Sequence, residues 1–248
     1  MRTTDAIVIA TGTVKDPELA CIARGPKSLI QFDGRPAVAY LLDNLKAAQH
    51  IRRIVLVSDK ATFDCVQGVD VHIDATDDST STVVGAIRAA QGAGRCLIMS
   101  GDMPLASSEA IDDLLVHAPD ADVIYPVVSK ADVKKVYPDR KAFYVNTKEG
   151  RFTGSSCLLF KPDVALANEK LMVRLLDARE DPKALLGLFG MGVALKFMFT
   201  TCALHEFEER LSDALGLAAR VFISHFPGLL VSIDSVDDIK LLEHELTV

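Results

Sequence analysis

The run Cys96-Leu97-Ile98-Met99-Ser100-Gly101-Asp102-Met103-Pro104-Leu105-Ala106 decides how the rest of the chain is read. Cys96 to Met99 is a short apolar segment of the length of a buried strand, and Ser100-Gly101 permits a tight exit from it. Asp102 follows where the strand would end. Pro104 fixes the chain direction, and Ser107 or Ser108 is placed to cap a helix that starts near Glu109. Open α/β sheets are built from such units, and their ligands sit beyond the carboxyl ends of the strands. Asp102 is therefore a candidate metal ligand. Without a ligand, the same residue reads as an ordinary turn aspartate.

Outward from that unit the pattern repeats. Ala6-Ile7-Val8-Ile9-Ala10 is a continuous apolar run rich in β-branched residues, as expected of a parallel strand buried on both faces. The segment Thr11-Gly12-Thr13-Val14-Lys15-Asp16-Pro17 reads as a small, polar loop, and Asp33-Gly34-Arg35-Pro36 as a turn. Val38, Leu41, Leu42 and Leu45 recur at helical spacing. Ile54 to Val57 and Val71 to Ile73 are two further strands, and Val83, Ala86, Ile87 and Ala90 mark a helix after the polar run 74–82. This alternation through residue 118 predicts a three-layer α/β/α domain around a mostly parallel sheet.

The pattern then changes. Val123 to Val128 reads as a strand, with Pro126 pointing to an edge or a bulge. Lys141 to Asn146 and Ser156 to Phe160 read as two more strands, and 163–220 as mainly helical. Val221 to Ser224 and Leu229 to Ile233 return to strand, Asp234 closes the latter, and a helix follows from Val236. The expectation is one domain over 1–248, with 129–220 as a mainly helical cap.

Bulk properties bound the function. Of 248 residues, 49% are hydrophobic and 25% charged, which suits a globular chain with a sizeable core. The net charge of −7 offers no broad basic surface for nucleic acid. Five scattered cysteines without C-x-x-C spacing, and a start at Met1-Arg2-Thr3-Thr4-Asp5 without a signal-peptide core, make the cytoplasm the expected location.

Three features carry candidate chemistry. In the loop from Thr11 to Lys27, Gly12 permits close backbone approach to phosphate, and Lys27 supplies a point charge, with Lys15 or Arg24 assisting. The loop is neither a P-loop nor a G-x-G-x-x-G fingerprint, and an ordinary strand-to-helix connection is the alternative. Asp102 and Asp234, each after an apolar run, would reach one rim if both strands are central, and two carboxylates with substrate phosphates suit Mg²⁺. The alternative is two unrelated turn residues. The stretch 184–204, with Lys196 as its one charge, approaches a membrane span in length, but its three glycines and its lysine favour a buried helical hairpin of the cap over an apolar acceptor pocket or a membrane-surface contact. The six histidines show no zinc spacing.

Taken in order, several pieces resemble the nucleotidyltransferases of the glycosyltransferase A-type fold, in their molybdenum-cofactor guanylyltransferase-like (MobA-like) branch. They are Ile7-Val8-Ile9-Ala10-Thr11-Gly12, Gly25-Pro26-Lys27-Ser28-Leu29, Gly34-Arg35-Pro36, Ser100-Gly101-Asp102-Met103-Pro104-Leu105 and Asp234-Ser235-Val236-Asp237-Asp238-Ile239. The resemblance implies that Ala10, Thr11 and Gly12, with the adjoining Thr13, lie beside the nucleotide. It implies that Lys27 meets the phosphates, that Asp102 binds Mg²⁺, and that Asp234 completes the metal site. Thr153 and Gly154 match a segment near the acceptor pocket. Thr11 departs from the family pattern by replacing the first of two paired glycines.

The expected activity is Mg²⁺-dependent transfer of NMP from an NTP to a small phosphorylated acceptor, with pyrophosphate released. Lys27 and Asp102 are its expected catalytic residues. The alternatives are a glycosyltransferase using a nucleotide-sugar donor, disfavoured because D-x-D is absent at 100–104, and a non-catalytic nucleotide-binding protein.

Overall fold

The computed structural model describes residues 4–14, 16–23, 25–178 and 203–247. Numbered among these, the elements begin with β1 (Thr4–Ile9), α1 (Pro17–Ile22), the short arms β2 (Gln31–Phe32) and β3 (Arg35–Pro36), and α2 (Ala37–Ala47). Then come β4 (Ile51–Ser58), α3 (Lys60–Asp64), β5 (Val71–Asp74), α4 (Ser79–Ala89), β6 (Arg95–Ser100) and α5 (Ser108–His117). The second half holds β7 (Val123–Ser129), α6 (Lys130–Val136), β8 (Val145–Asn146), β9 (Arg151–Gly154), β10 (Cys157–Phe160), α7 (Pro162–Ala167) and α8 (Glu169–Ala178). Last are α9 (Leu204–Leu215), β11 (Ala219–Ser224) and α10 (Val236–Leu246).

β5, β4, β1 and β6 lie side by side and parallel, in that order. β10 runs antiparallel against β6 and against β7, so β7 points the same way as β6, and β11 adds in parallel to β7. Successive side chains of a strand face opposite sides. Accordingly Ala6 and Val8 enter one apolar cluster with α2 and α5 residues such as Leu41 and Leu114. Ile7 enters another with Ile87 of α4, Met172 of α8 and Leu211 of α9. This is the expected three-layer, mostly parallel architecture. Three strands that lie wholly in the range 129–220, β8, β9 and β10, are members of its central sheet.

Four local expectations are corrected. Pro126 lies within β7, flanked on one side by β11 and on the other by β10 and then β9. The Pro126 carbonyl accepts from Ser155 N–H at 3.1 Å, so its missing N–H faces the break between β9 and β10, where no ladder bond is lost. Leu229 to Ile233 is not a strand. Pro227–Leu230 forms a 3₁₀ turn, and the segment after it is apolar because Val231 and Ile233 are buried with Leu19, Phe32, Tyr137 and Ile239. Only Val145–Asn146 of the expected strand 141–146 pairs. The loop expected over 11–17 ends in α1, where Asp16 accepts from Leu19 N–H at 2.8 Å and Pro17 takes the first helical position, its missing N–H costing nothing there.

The cap serines are as expected. Ser107 accepts from Ala110 N–H at 3.2 Å to start α5. The apolar stretch 184–204 lies outside the described residues except for Ala203 and Leu204. Among the described residues, no helix is long and apolar enough to cross a membrane.

Candidate active site

The site begins where β1 and β6 end together. Gly101 N–H donates to the Ile9 carbonyl at 2.8 Å, and Ala10 N–H donates to Val57 of β4 at 2.8 Å. A Cβ on Gly101 would lie 3.0 to 3.2 Å from Ala10 and the Ile9 carbonyl, so a side chain there would press the two strand exits apart. The returning loop is tied to the same exits. Ser28 Oγ donates to the Ala10 carbonyl at 3.0 Å, Lys27 N–H to the Gly12 carbonyl at 2.8 Å, and Thr13 bridges Pro26. Ala10 is buried, Gly12 half-buried, and Thr11 and Thr13 are exposed. Lys15 and Arg24 lie outside the described residues.

These ties aim Lys27 inward. Its ammonium lies 2.8 Å from Asp102 Oδ2 and 2.8 Å from Asp234 Oδ1. Asp102 and Lys27 are buried, with side chains 2% and 7% exposed, whereas Asp234 is open at 58%. Burial opposes charge on Lys27, but Asp102 and then Asp234 outweigh it and hold the ammonium above the ordinary lysine value. Burial likewise opposes ionisation of Asp234. Lys27, and then the Ser232 hydroxyl, outweigh it and hold that carboxyl below the usual range.

Asp102 follows β6 as expected. Its Oδ2 also accepts from Ile233 N–H at 3.1 Å, while its buried Oδ1 has no hydrogen-bond partner among the described residues. Asp234 is held differently from the expectation, since a buried coil and not a strand delivers it. Its Oδ2 accepts from Ser232 Oγ at 2.7 Å, and its N–H donates to Asp238 Oδ2 at 3.2 Å. Asp238 closes the capping box of α10 with Ser235 and accepts from Arg140 Nη1 at 2.5 Å. Arg140 also donates to the Leu230 carbonyl at 3.0 Å, tying the coil to the start of the helix.

Beside Asp234 opens a cleft of about 1050 Å³, lined in part by Thr153, Gly154, Ser156, Ser232 and Arg140. Thr153 and Gly154 thus share a cleft with Asp234, while Ala10 to Thr13 lie on the Lys27 side. Gly154 has a packing reason to be glycine, since its Cβ would fall 1.8 Å from Tyr125 Oη. Arg140, Ser156 and Ser232 were not anticipated. Only Asp238 carried a signal, the Ser-x-x-Asp spacing of a capping box. No group of three or more potential metal-binding side chains occurs among the described residues.

This fold is an α/β domain in which the Lys27–Asp102–Asp234 cluster lies beyond the carboxyl ends of the parallel strands β1 and β6, where ligands of open α/β sheets bind. The chain belongs to the MobA-like NTP transferase domain family, whose model matches residues 22–187. Lys27, Asp102, Thr153 and Gly154 fall inside that range, and Ala10 to Thr13 and Asp234 outside it. A probable molybdenum cofactor guanylyltransferase of Thermococcus gammatolerans is 26% identical over 91 residues, covering 37% of this chain and 47% of that protein. Its counterpart in Thermococcus kodakarensis is 32% identical over 88 residues, covering 36% and 43%. The chain thus spans a little under half the length of these curated relatives. A hypothetical transferase from Thermus thermophilus is 29% identical, with a TM-score of 0.81 over 96% of this chain and 100% of that one. The CMP:2-keto-3-deoxy-manno-octonic acid synthetase complexed with CTP has a TM-score of 0.64 at 12% identity, covering 99% and 98%, and shares the fold.

Proposed function

We propose that this domain is a Mg²⁺-dependent nucleotidyltransferase that moves NMP from an NTP to a small phosphorylated acceptor. The observation that carries the reading is the convergence of Lys27, Asp102 and Asp234 at the exits of β1 and β6, between the Ala10–Thr13 loop and an open cleft. The fit to a metal rests on Asp102, whose Oδ1 is a buried carboxylate oxygen with no partner among the described residues. Asp102 and Asp234 would hold Mg²⁺, in keeping with its preference for one or two carboxylates plus substrate phosphates. When bound there, the ion neutralises charge on the triphosphate.

The chain's own groups do the rest. The Ala10–Thr13 backbone holds the nucleotide, and Lys27 balances charge on the phosphates. Thr153 and Gly154 border the acceptor in the cleft. An acceptor phosphate oxygen attacks the α-phosphorus, the bond to the bridging oxygen of the β-phosphate breaks, and pyrophosphate carries away that electron pair. A phosphate monoester is already largely ionised near pH 7, its second pKa being about 6. No protein base is then required, so catalysis reduces to positioning and charge neutralisation.

Among the described residues, Cys21, Cys65, Cys96 and Cys157 form no disulfide, in keeping with a reaction placed in a reducing compartment such as the cytoplasm. The test is a matrix of NTPs against phosphorylated acceptors with Mg²⁺, read by pyrophosphate release. Release that requires both substrates supports the reading. Hydrolysis of a nucleotide sugar without pyrophosphate, or no turnover with any pair, overturns it.

A further inference from the structure

Building on the nucleotidyl-transfer reading, we propose that Lys27 is an internal counter-ion that keeps the Asp102–Asp234 site closed to divalent metal until a nucleotide draws it away. Metal and nucleotide would then bind as one unit, and the nucleotide-free protein would take up metal poorly.

Two carboxylates that converge without a cation repel each other. Here one ammonium serves both, at 2.8 Å from an oxygen of each. A divalent ion entering at those oxygens meets a positive charge already in place. Lys27 cannot step aside into water at no cost, because its side chain is buried and its Cε runs beside Gly12, within 3.4 Å of where a Cβ would stand. It needs another anion as its destination. The triphosphate is that anion, since the backbone of Lys27 is bonded to Gly12 in the loop proposed to hold the nucleotide.

The neutralisation is also incomplete. Lys27 engages one oxygen of each carboxylate, and Asp102 Oδ1 stays buried and without a partner among the described residues. A cation of higher charge that reached this oxygen would satisfy what the lysine leaves unmet. The two states, lysine on the carboxylates or lysine on the phosphates, couple the two ligands. Whatever factor the nucleotide adds to metal affinity, the metal returns to nucleotide affinity.

Mn²⁺ serves as the probe, with binding to the whole chain followed by electron paramagnetic resonance and calorimetry. Wild type, Lys27→Met and Lys27→Gln are titrated without nucleotide, then with α,β-methylene analogues of the four NTPs. Without nucleotide, both variants are expected to bind Mn²⁺ about tenfold more tightly than wild type or better. Adding Asp102→Asn to either variant should remove the gain. The analogue should raise Mn²⁺ affinity by a larger factor in wild type than in the variants. Lys27→Gln retains N–H donors for the carboxylates, so it carries the test if Lys27→Met does not fold. Equal nucleotide-free affinity in wild type and variants, with the analogue still recruiting Mn²⁺ to wild type, overturns the counter-ion role and leaves the transferase reading standing. Absence of Mn²⁺ binding in every protein, with or without analogue, overturns both.

Discussion

The ammonium of Lys27 and the carboxylate of Asp102 meet at 2.8 Å with both side chains out of water, one delivered by the 3₁₀ turn Lys27–Leu29 and the other by the end of β6. Such a pair contributes little net stability when intact, yet removing one partner strands the other charge in the interior, at a cost of about 3–5 kcal/mol. Lys27→Met should therefore lower both stability and turnover. Urea denaturation reads the first and pyrophosphate release the second. Because Lys27 is held above its ordinary value, its stabilising contribution is full below about pH 10 and is lost as pH rises through the raised value. The stability gap between wild type and Lys27→Met should stay constant from pH 7 to about 10 and narrow only above that. A gap that closes near neutrality would contradict the pairing.

Asp234 gives the opposite limb. Burial works against its ionisation, but Lys27 and Ser232 prevail and depress its value. A depressed carboxylate contributes stability that is present above its ordinary value and lost as pH falls through the lowered one. Asp234→Asn should thus flatten the fall in stability below about pH 4 that wild type shows. The effect should be small, because the side chain is 58% exposed and screened by solvent. Acid denaturation of the two proteins at matched salt checks it.

Much of this arrangement was legible in the sequence. Buried parallel strands announce themselves as apolar runs, which is why β1, β4 and β6 were readable and why Asp102 was found at an exit. The apolar run before Asp234 points to the right residue for an incomplete reason. Val231 and Ile233 are apolar because they are buried in one cluster with Leu19, Phe32, Tyr137 and Ile239, and an apolar run alone does not separate a strand from a buried coil. Pro126 misled because the penalty on a strand proline depends on what its missing N–H faces, and that is set by β9 and β10 far along the chain. Arg140 was invisible for the same reason: its partners Asp238 and Leu230 are brought to it only by the tertiary fold.

Because Asp102 and Asp234 share one lysine, they should not act independently. Asp102→Asn and Asp234→Asn are each expected to weaken Mg²⁺-dependent nucleotide binding. The double variant should lose little more than the worse single one, since residues in one network couple by about 0.5–3 kcal/mol. Calorimetry with an NTP analogue at several Mg²⁺ concentrations measures all four proteins. Strict additivity of the two losses would mean that no common ion links them.

The last prediction concerns a glycine outside the polar cluster. Gly228, in the 3₁₀ turn, packs so closely on the Asp102 loop that a Cβ would fall 2.2 Å from the Leu105 carbonyl oxygen. That neighbour is backbone and cannot swing aside as a side-chain tip would. Gly228→Ala must therefore separate the turn from the loop, at a cost of about 1–3 kcal/mol for forced overpacking. The displacement passes directly to the site, because Ile233, a few residues beyond the turn, donates its N–H to Asp102 Oδ2 at 3.1 Å. Gly228→Ala should accordingly weaken Mg²⁺-dependent nucleotide binding as well as stability. Gly85 supplies the control. It lies within α4, where a Cβ would meet nothing within 4 Å, so Gly85→Ala should stabilise the chain by about 0.4–1 kcal/mol and leave nucleotide binding unchanged. Thermal denaturation and calorimetry on both variants decide the matter. If Gly228→Ala lost stability but bound nucleotide and Mg²⁺ like wild type, the turn would not be what sets the Asp102 carboxylate.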